Sequence, residues 1–165
     1  MRPVVLILAS GRGERFRASG GGCHKLDAAL GDRTVLEHSV AAAEASGLPW
    51  HLERADHPGM GDCIAAAVRA TAGADGWLIL PADLPLVQAS TLRQVADALA
   101  AAGPGRHAVA PMFQGRRGHP VGFSAACREA LMALQGDRGA APVLRDCEVT
   151  SVATDDEGCV LDVDT

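Results

Sequence analysis

Residues 3–16 read PVVLILASGRGERF, and this stretch decides how the rest of the chain is read. Pro3–Ala9 is an apolar run of strand length, which glycine, serine and arginine replace abruptly. The basic, flexible text continues through RASGGGCH to Lys25, the only lysine in the chain. Glycines let successive backbone N–H groups point at one anion, while arginine adds a planar fork and lysine a compact charge. A strand feeding such a loop suits phosphate, but this is neither of two familiar phosphate loops. His24 and Leu26 flank Lys25, so the magnesium-binding hydroxyl of a P-loop is missing. Phe16 stands where a dinucleotide fingerprint has its third glycine, after Gly11 and Gly13. Taken alone, the segment reads equally well as a solvated surface turn.

At 165 residues the chain fits one domain over 1–165, with one substantial core. Its 48% apolar and 21% charged content argue against disorder. No apolar run reaches the roughly 18 residues of a membrane span, and PVVLILA is too short for a signal-peptide core. Five cysteines, odd in number and without C-x-x-C spacing, point to reduced thiols and a cytoplasmic location rather than a disulfide framework or zinc site. A net charge of −5 argues against a nucleic-acid partner, and no membrane partner is expected. The charge is polarised. Residues 1–25 carry Arg2, Arg12, Arg15, Arg17 and Lys25 against Glu14 alone; residues 146–165 carry seven acids, among them Asp162 and Asp164, and no base. One pole suits phosphate and the other a cation.

Apolar runs alternate with amphipathic stretches. Expected strands are Pro3–Ala9, Pro49–Arg54, Gly76–Leu80, His107–Met112, His119–Phe123, Val149–Thr154 and Cys159–Val163. Expected helices are Thr34–Ser46, Gly61–Ala72, Thr91–Ala102, Ala125–Leu134 and Ala140–Arg145, with Thr34 and Thr91 as N-caps. Pure runs such as WLIL (residues 77–80) suit strands covered on both faces. The alternation predicts an α/β fold, a three-layer sandwich whose sheet is made mixed by a hairpin in MFQGRRGHPVGF.

Two acidic positions fit the cation pole. WLILPADLPLV puts Asp83 just beyond a strand end, where ligands of open α/β sheets gather, and Pro81 and Pro85 stiffen its turn. Asp162 and Asp164 in CVLDVDT share one side of a strand by period two. Such carboxylates can share Mg²⁺ with phosphate oxygens. Against this stand a turn-forming role for Asp83 and a solvated terminus for the others.

Six ordered segments now resemble the MobA-like nucleotidyltransferases, the molybdenum cofactor guanylyl- and cytidylyltransferases and their relatives. LASGRGERF with Lys25 resembles the family's first loop, and HPGMGDCIAAAV its helix-opening G-M-[GS] turn. PADLPLV resembles the metal-binding D-x-P segment. GRRGHPVGF and GDRGAAPVL resemble the acceptor-side segments, and DVDT the terminal D-[IV]-D-T. The resemblance implies a Rossmann-like α/β/α sandwich of the nucleotide-diphospho-sugar transferase type, and transfer of a nucleoside monophosphate to a phosphate acceptor with release of pyrophosphate.

By position it assigns Leu8, Ala9, Ser10, Gly11, Arg12, Gly13, Lys25, Gly61 and Asp83 to the nucleotide, with Lys25, Arg15 and Asp83 as catalytic groups. Asp83, Asp164 and Asp162 would hold Mg²⁺, and Gly118, His119 and Pro120 would lie near the acceptor. Arg116 and Arg117 are further candidates for an anionic acceptor. Guanine-using relatives carry Gly-Gly where this chain has Ala9 and Ser10, which favours CTP, with molybdopterin as acceptor and a molybdoenzyme as possible client. A sugar-phosphate enzyme and a non-catalytic nucleotide-binding accessory protein are the alternatives. The chain departs from the family in a longer loop before Lys25, in Asp62 and Cys63 where small and hydroxyl residues are common, and in ending at Thr165 without a closing helix.

Overall fold

The computed structural model describes residues 2–9, 29–54 and 56–162. In chain order its elements are β1 (Val4–Leu8), β2 (Ala29–Leu30), β3 (Arg33–Thr34), α1 (Val35–Ser46), β4 (Trp50–Glu53), α2 (Met60–Ala70), β5 (Gly76–Pro81) and α3 (Ala89–Ala101). Then come β6 (His107–Phe113), β7 (Arg116–Arg117), β8 (Val121–Ser124), α4 (Arg128–Met132), α5 (Ala141–Leu144) and β9 (Glu148–Ala153). The short β2–β3 hairpin stands apart from a seven-stranded sheet ordered β4-β1-β5-β8-β6, where β7 and β9 also pair with β6. β1 runs parallel to β4 and β5, and β6 parallel to β9, while β8 is inserted antiparallel between β5 and β6. The mostly parallel mixed sheet of the sequence reading is present.

Alternation along the strands divides the core into two layers. Val5, Ile7, Leu78 and Leu80 face α1 and α3; Leu6, Leu8, Trp77 and Ile79 face α2, α4 and α5. β5 is buried along nearly its whole length, as WLIL requires. Thr34 caps α1 as expected: its Oγ1 accepts from the Glu37 amide at 3.1 Å, and Glu37 Oε1 accepts from the Thr34 amide at 2.8 Å.

Two expectations need correction. Thr91 caps nothing. α3 begins two residues earlier, and the buried Thr91 hydroxyl donates instead to Asp156 Oδ2 at 2.7 Å. The strand expected at Cys159–Val163 does not form among the described residues; Glu157–Cys159 is a 3₁₀ turn followed by irregular chain. Asp156 explains both differences. Buried to 3% exposure, it also accepts from the Gln88 amide at 2.9 Å and the Gly158 amide at 2.9 Å. The segment after β9 is thereby tied to the first turn of α3 and cannot extend as a strand. Gly158 allows the close approach, since a Cβ there would lie 2.1 Å from the Leu86 carbonyl oxygen.

Asp156→Ala leaves two buried donors, Thr91 and Gly158, without an acceptor, each costing about 1–3 kcal/mol, and frees the partly exposed Gln88 amide to water. Urea denaturation should show a loss of about 2 kcal/mol or more; a loss below about 1 kcal/mol would show that water replaces the carboxylate.

Candidate active site

The site lies at one edge of the sheet, where β1, β4 and β5 all end. Backbone bonds hold these ends together: the Ala9 amide donates to the Glu53 carbonyl at 2.9 Å, and the Ala82 amide to the Leu8 carbonyl at 3.0 Å. Asp83 follows directly, half-buried in the turn. Because β8 runs the other way, its beginning arrives at this same edge and brings Gly118, His119 and Pro120 beside the β5 turn. The Gly118 amide donates to the Pro111 carbonyl at 2.8 Å, and the His119 amide to the Cys159 carbonyl at 2.9 Å. Gly118 has to be glycine, since a Cβ would sit 2.5 Å from Cys159 Sγ and 2.6 Å from its carbonyl oxygen.

A cavity of about 380 Å³ opens at this junction, lined by Asp83, Asp162, His119, Arg116 and Arg117 with Val160. Asp162 reaches it from the segment that Asp156 fastens, not from a strand. Burial pushes the His119 imidazole below its usual pKa, and the carboxylates of Asp83 and Asp162 pull it partway back. The ring is therefore neutral at neutral pH, a hydrogen-bonding group among the charges rather than a cation.

Next to it lies a second chamber of about 300 Å³, walled by Leu8, Ile64, Ile79, Val121, Phe123 and Leu144. Met60, Pro81, Arg117 and His119 line both spaces and form the boundary between them. Arg138 borders the apolar chamber alone. Met60 and Arg138 escaped the sequence reading as cavity residues, although both sit inside motifs it used, HPGMGD and GDRGA.

Gly61 packs against the loop at Gly136. Its amide donates to the Gly136 carbonyl at 2.7 Å, and Asp62 Oδ2 accepts from the Gly136 amide at 3.1 Å. The start of α2 is thus fastened to the loop carrying Arg138, and Asp62 is a clamp where other residues are usual. Gly118 and His119 line cavities, whereas Pro120 is buried beneath them. Ser10, Gly11, Arg12, Gly13, Arg15, Lys25 and Asp164 lie outside the described residues.

At the end of β4, Glu53 accepts from His51 Nε2 at 3.0 Å and His57 Nε2 at 2.8 Å. Burial alone would raise its pKa, but the hydrogen bonds from His57 and His51 prevail and hold it below its usual value. This fixes the connection that leads into α2 and Met60.

Among the described residues no three metal-ligating side chains cluster. Asp83 and Asp162 nevertheless supply two carboxylates to one cavity. Oxygen donors of that kind fit Mg²⁺ or Mn²⁺, which keep open positions for phosphate and water.

The family model of the MobA-like NTP transferase domain matches residues 40–152. No curated protein matches the chain in sequence. Among solved structures, Rv0371c from Mycobacterium tuberculosis H37Rv is 24% identical, covering 100% of this chain and 93% of its own with a TM-score of 0.81. A manganese complex of the same protein gives 22% and 0.78, covering 100% and 94%. Molybdopterin-guanine dinucleotide biosynthesis protein A from Archaeoglobus fulgidus is 18% identical, covering 91% and 83%, with a TM-score of 0.62. A cytidylyltransferase from Leptospira borgpetersenii serovar Hardjo-bovis is 14% identical, covering 99% and 81%, with a TM-score of 0.70. At these identities the likenesses are of fold.

Two measurements probe this construction. Gly118→Ala should lower stability by about 2 kcal/mol, because its methyl group meets Cys159 backbone as well as side chain; an unchanged melting curve would mean the 157–162 segment yields freely. Glu53, with its folded pKa depressed below 4.5, contributes stability that is present above that pH and lost as pH falls through the folded value. Glu53→Gln should therefore flatten the acid limb of the stability curve, and an identical limb would remove Glu53 from that role.

Proposed function

The chain belongs to the MobA-like NTP transferase family, and on that footing we propose that it is a Mg²⁺-dependent nucleotidyltransferase. It transfers a nucleoside monophosphate, CMP in preference to GMP, to a phosphate-bearing acceptor and releases pyrophosphate; molybdopterin is the favoured acceptor. The observation that carries this reading is the meeting of Asp83, Asp162 and His119 in one cavity beyond the ends of β1 and β5. Residues about 80 positions apart in the chain converge there, and two carboxylates beside Arg116 and Arg117 suit a divalent cation together with phosphate.

In this mechanism the acceptor phosphate attacks the α-phosphorus of the triphosphate in line. A phosphate monoester is already anionic at neutral pH, so no general base is required, and catalysis consists of positioning and charge neutralisation. Asp83 and Asp162, with Asp164, would hold Mg²⁺, which when bound neutralises phosphate charge and aligns the reacting groups. Leu8 and Ala9 would border the nucleotide at the end of β1. Gly11, Arg12, Gly13, Arg15 and Lys25 would hold the phosphates and stabilise the departing pyrophosphate. Neutral His119 would hydrogen-bond the acceptor without adding charge. Ala9 and Ser10 in place of paired glycines support CTP, and the reduced-thiol composition supports a cytoplasmic location. Among the described residues no helix is long and apolar enough to cross a membrane.

Pyrophosphate release measured with CTP and GTP, each with molybdopterin and Mg²⁺, tests the reading. Turnover is expected with CTP above GTP; nucleotide binding without turnover on any phosphate acceptor would overturn it. Asp83→Asn should reduce kcat about a thousandfold with only modest loss of nucleotide affinity. A fully active variant would remove Asp83 from the metal site.

A further inference from the structure

We propose that Cys127 and Cys147 are the site of a reversible disulfide that staples the base of the segment carrying α4 and α5. Cys127 Sγ lies 3.5 Å from Cys147 Sγ, in van der Waals contact, although the residues are 20 positions apart in the chain. No C-x-x-C spacing announces this pair; the fold creates it. Bonded sulfurs lie about 2 Å apart, so closure needs an approach of about 1.5 Å. Both residues are held by their surroundings. Cys127 is fully buried in the core layer of α2, α4 and α5 with Trp77 and Phe123, and its Sγ lies 3.8 Å from Ser124 Oγ. Cys147 packs against the same layer; its amide donates to the Leu144 carbonyl at 3.2 Å and its thiol to the Val143 carbonyl at 3.3 Å. Neither cysteine lines the two cavities of the candidate active site.

Access orders the chemistry. Cys63, Cys127 and Cys159 are closed to solvent, while Cys147 is half-buried, so among the described cysteines an external oxidant meets Cys147 first. The oxidant is the disulfide of a small thiol, such as oxidised glutathione. Cys147 loses its proton to water, and its thiolate attacks one sulfur of the reagent. The reagent's S–S bond breaks, a mixed disulfide forms on Cys147, and the other half leaves as a thiolate that takes up a proton. Cys127 then gives its proton to water, attacks Cys147 Sγ and expels the second half as a thiol. Two protein thiols are thereby oxidised by two electrons, and one disulfide is reduced to two thiols. Burial and the adjacent Cys127 push the Cys147 thiol up to about 12, with Asp146 reinforcing the shift and Arg106 opposing it. Little thiolate exists at neutral pH, so formation is slow there and faster in alkali. The bond closes a loop holding α4, Gly136, Arg138 and α5, the segment already fastened to the start of α2 through Gly61 and Asp62.

The test incubates the full chain with oxidised glutathione in mildly alkaline buffer, blocks remaining thiols with iodoacetamide and maps the peptides by mass spectrometry. Digestion after arginine and glutamate separates Cys147 from Cys159, because Glu148 stands between them. A Cys127–Cys147 link should appear and should vanish on treatment with dithiothreitol. The oxidised chain should melt about 5 °C or more above the reduced one, since closing the loop restricts the unfolded chain. Cys147→Ala, at a partly exposed position, should fold, form no such link and gain no melting temperature on oxidation. A glutathione adduct that persists on Cys147, a bond from Cys147 to Cys23 or Cys159 in place of Cys127, or a linked chain that melts no higher would each overturn the proposal. So would a Cys147→Ala chain that oxidation stabilises as much as the parent.

Discussion

The buried Asp156 carboxylate is the interaction on which the site depends. It belongs neither to the sheet nor to the cavity, yet its bonds to Gln88, Thr91 and Gly158 bring the acidic end of the chain under the β5 turn. With that attachment Asp162 lines the same cavity as Asp83, where oxygen donors from two distant segments could share a divalent cation. The C-terminal segment is in turn pressed against Gly118, whose lack of a side chain lets the Cys159 carbonyl receive the His119 amide. A distant carboxylate thus sets the position of three site residues.

The reversed strand β8 is the second constraint. In a wholly parallel sheet, the edge beyond β5 would be served only by loops that follow strands. Inserting β8 antiparallel delivers the residues that precede a strand to the same edge. Gly118 and His119 thereby face Asp83 across a short gap, and Arg116 and Arg117 arrive on the hairpin just before them. The pairing of β7 with Met112 and Phe113 holds both arginines out from the sheet at the cavity rim.

Much of this was legible in the sequence because it depends on local pattern. The fully apolar WLIL run, the Thr34–Glu37 capping box and the alternation of strand and helix gave most of the layers and nearly all element positions. The position of Asp83 beyond the end of β5 is legible because prolines and a strand end frame it. What could not be read was long-range. Thr91 looks like a cap because its partner Asp156 is 65 residues away, and nothing local distinguishes a capping hydroxyl from one donating across the core. The CVLDVDT segment has strand periodicity, but Asp156 claims the chain just before it. Met60 and Arg138 became cavity residues only through the bonds joining Gly61 and Asp62 to Gly136, a contact between segments 74 residues apart.

The two adjoining spaces imply a division of labour set by dielectric rather than by residue count. In the first cavity, two carboxylates and two guanidinium groups share the lining with Met60, Leu84 and Val160, and a ligand group able to share a cation or a guanidinium is favoured there. In the chamber behind Met60 and Pro81, every wall atom but a few is carbon, and a charged group entering it would lose hydration without compensation. A molecule spanning both must be amphipathic along one axis, with its phosphate at the boundary. His119, held below its usual pKa by burial, adds a hydrogen-bonding group at that boundary beside Arg117. The turn that carries this imidazole is held by its amide bond to the Cys159 carbonyl, so its position descends from the same attachment that Asp156 makes.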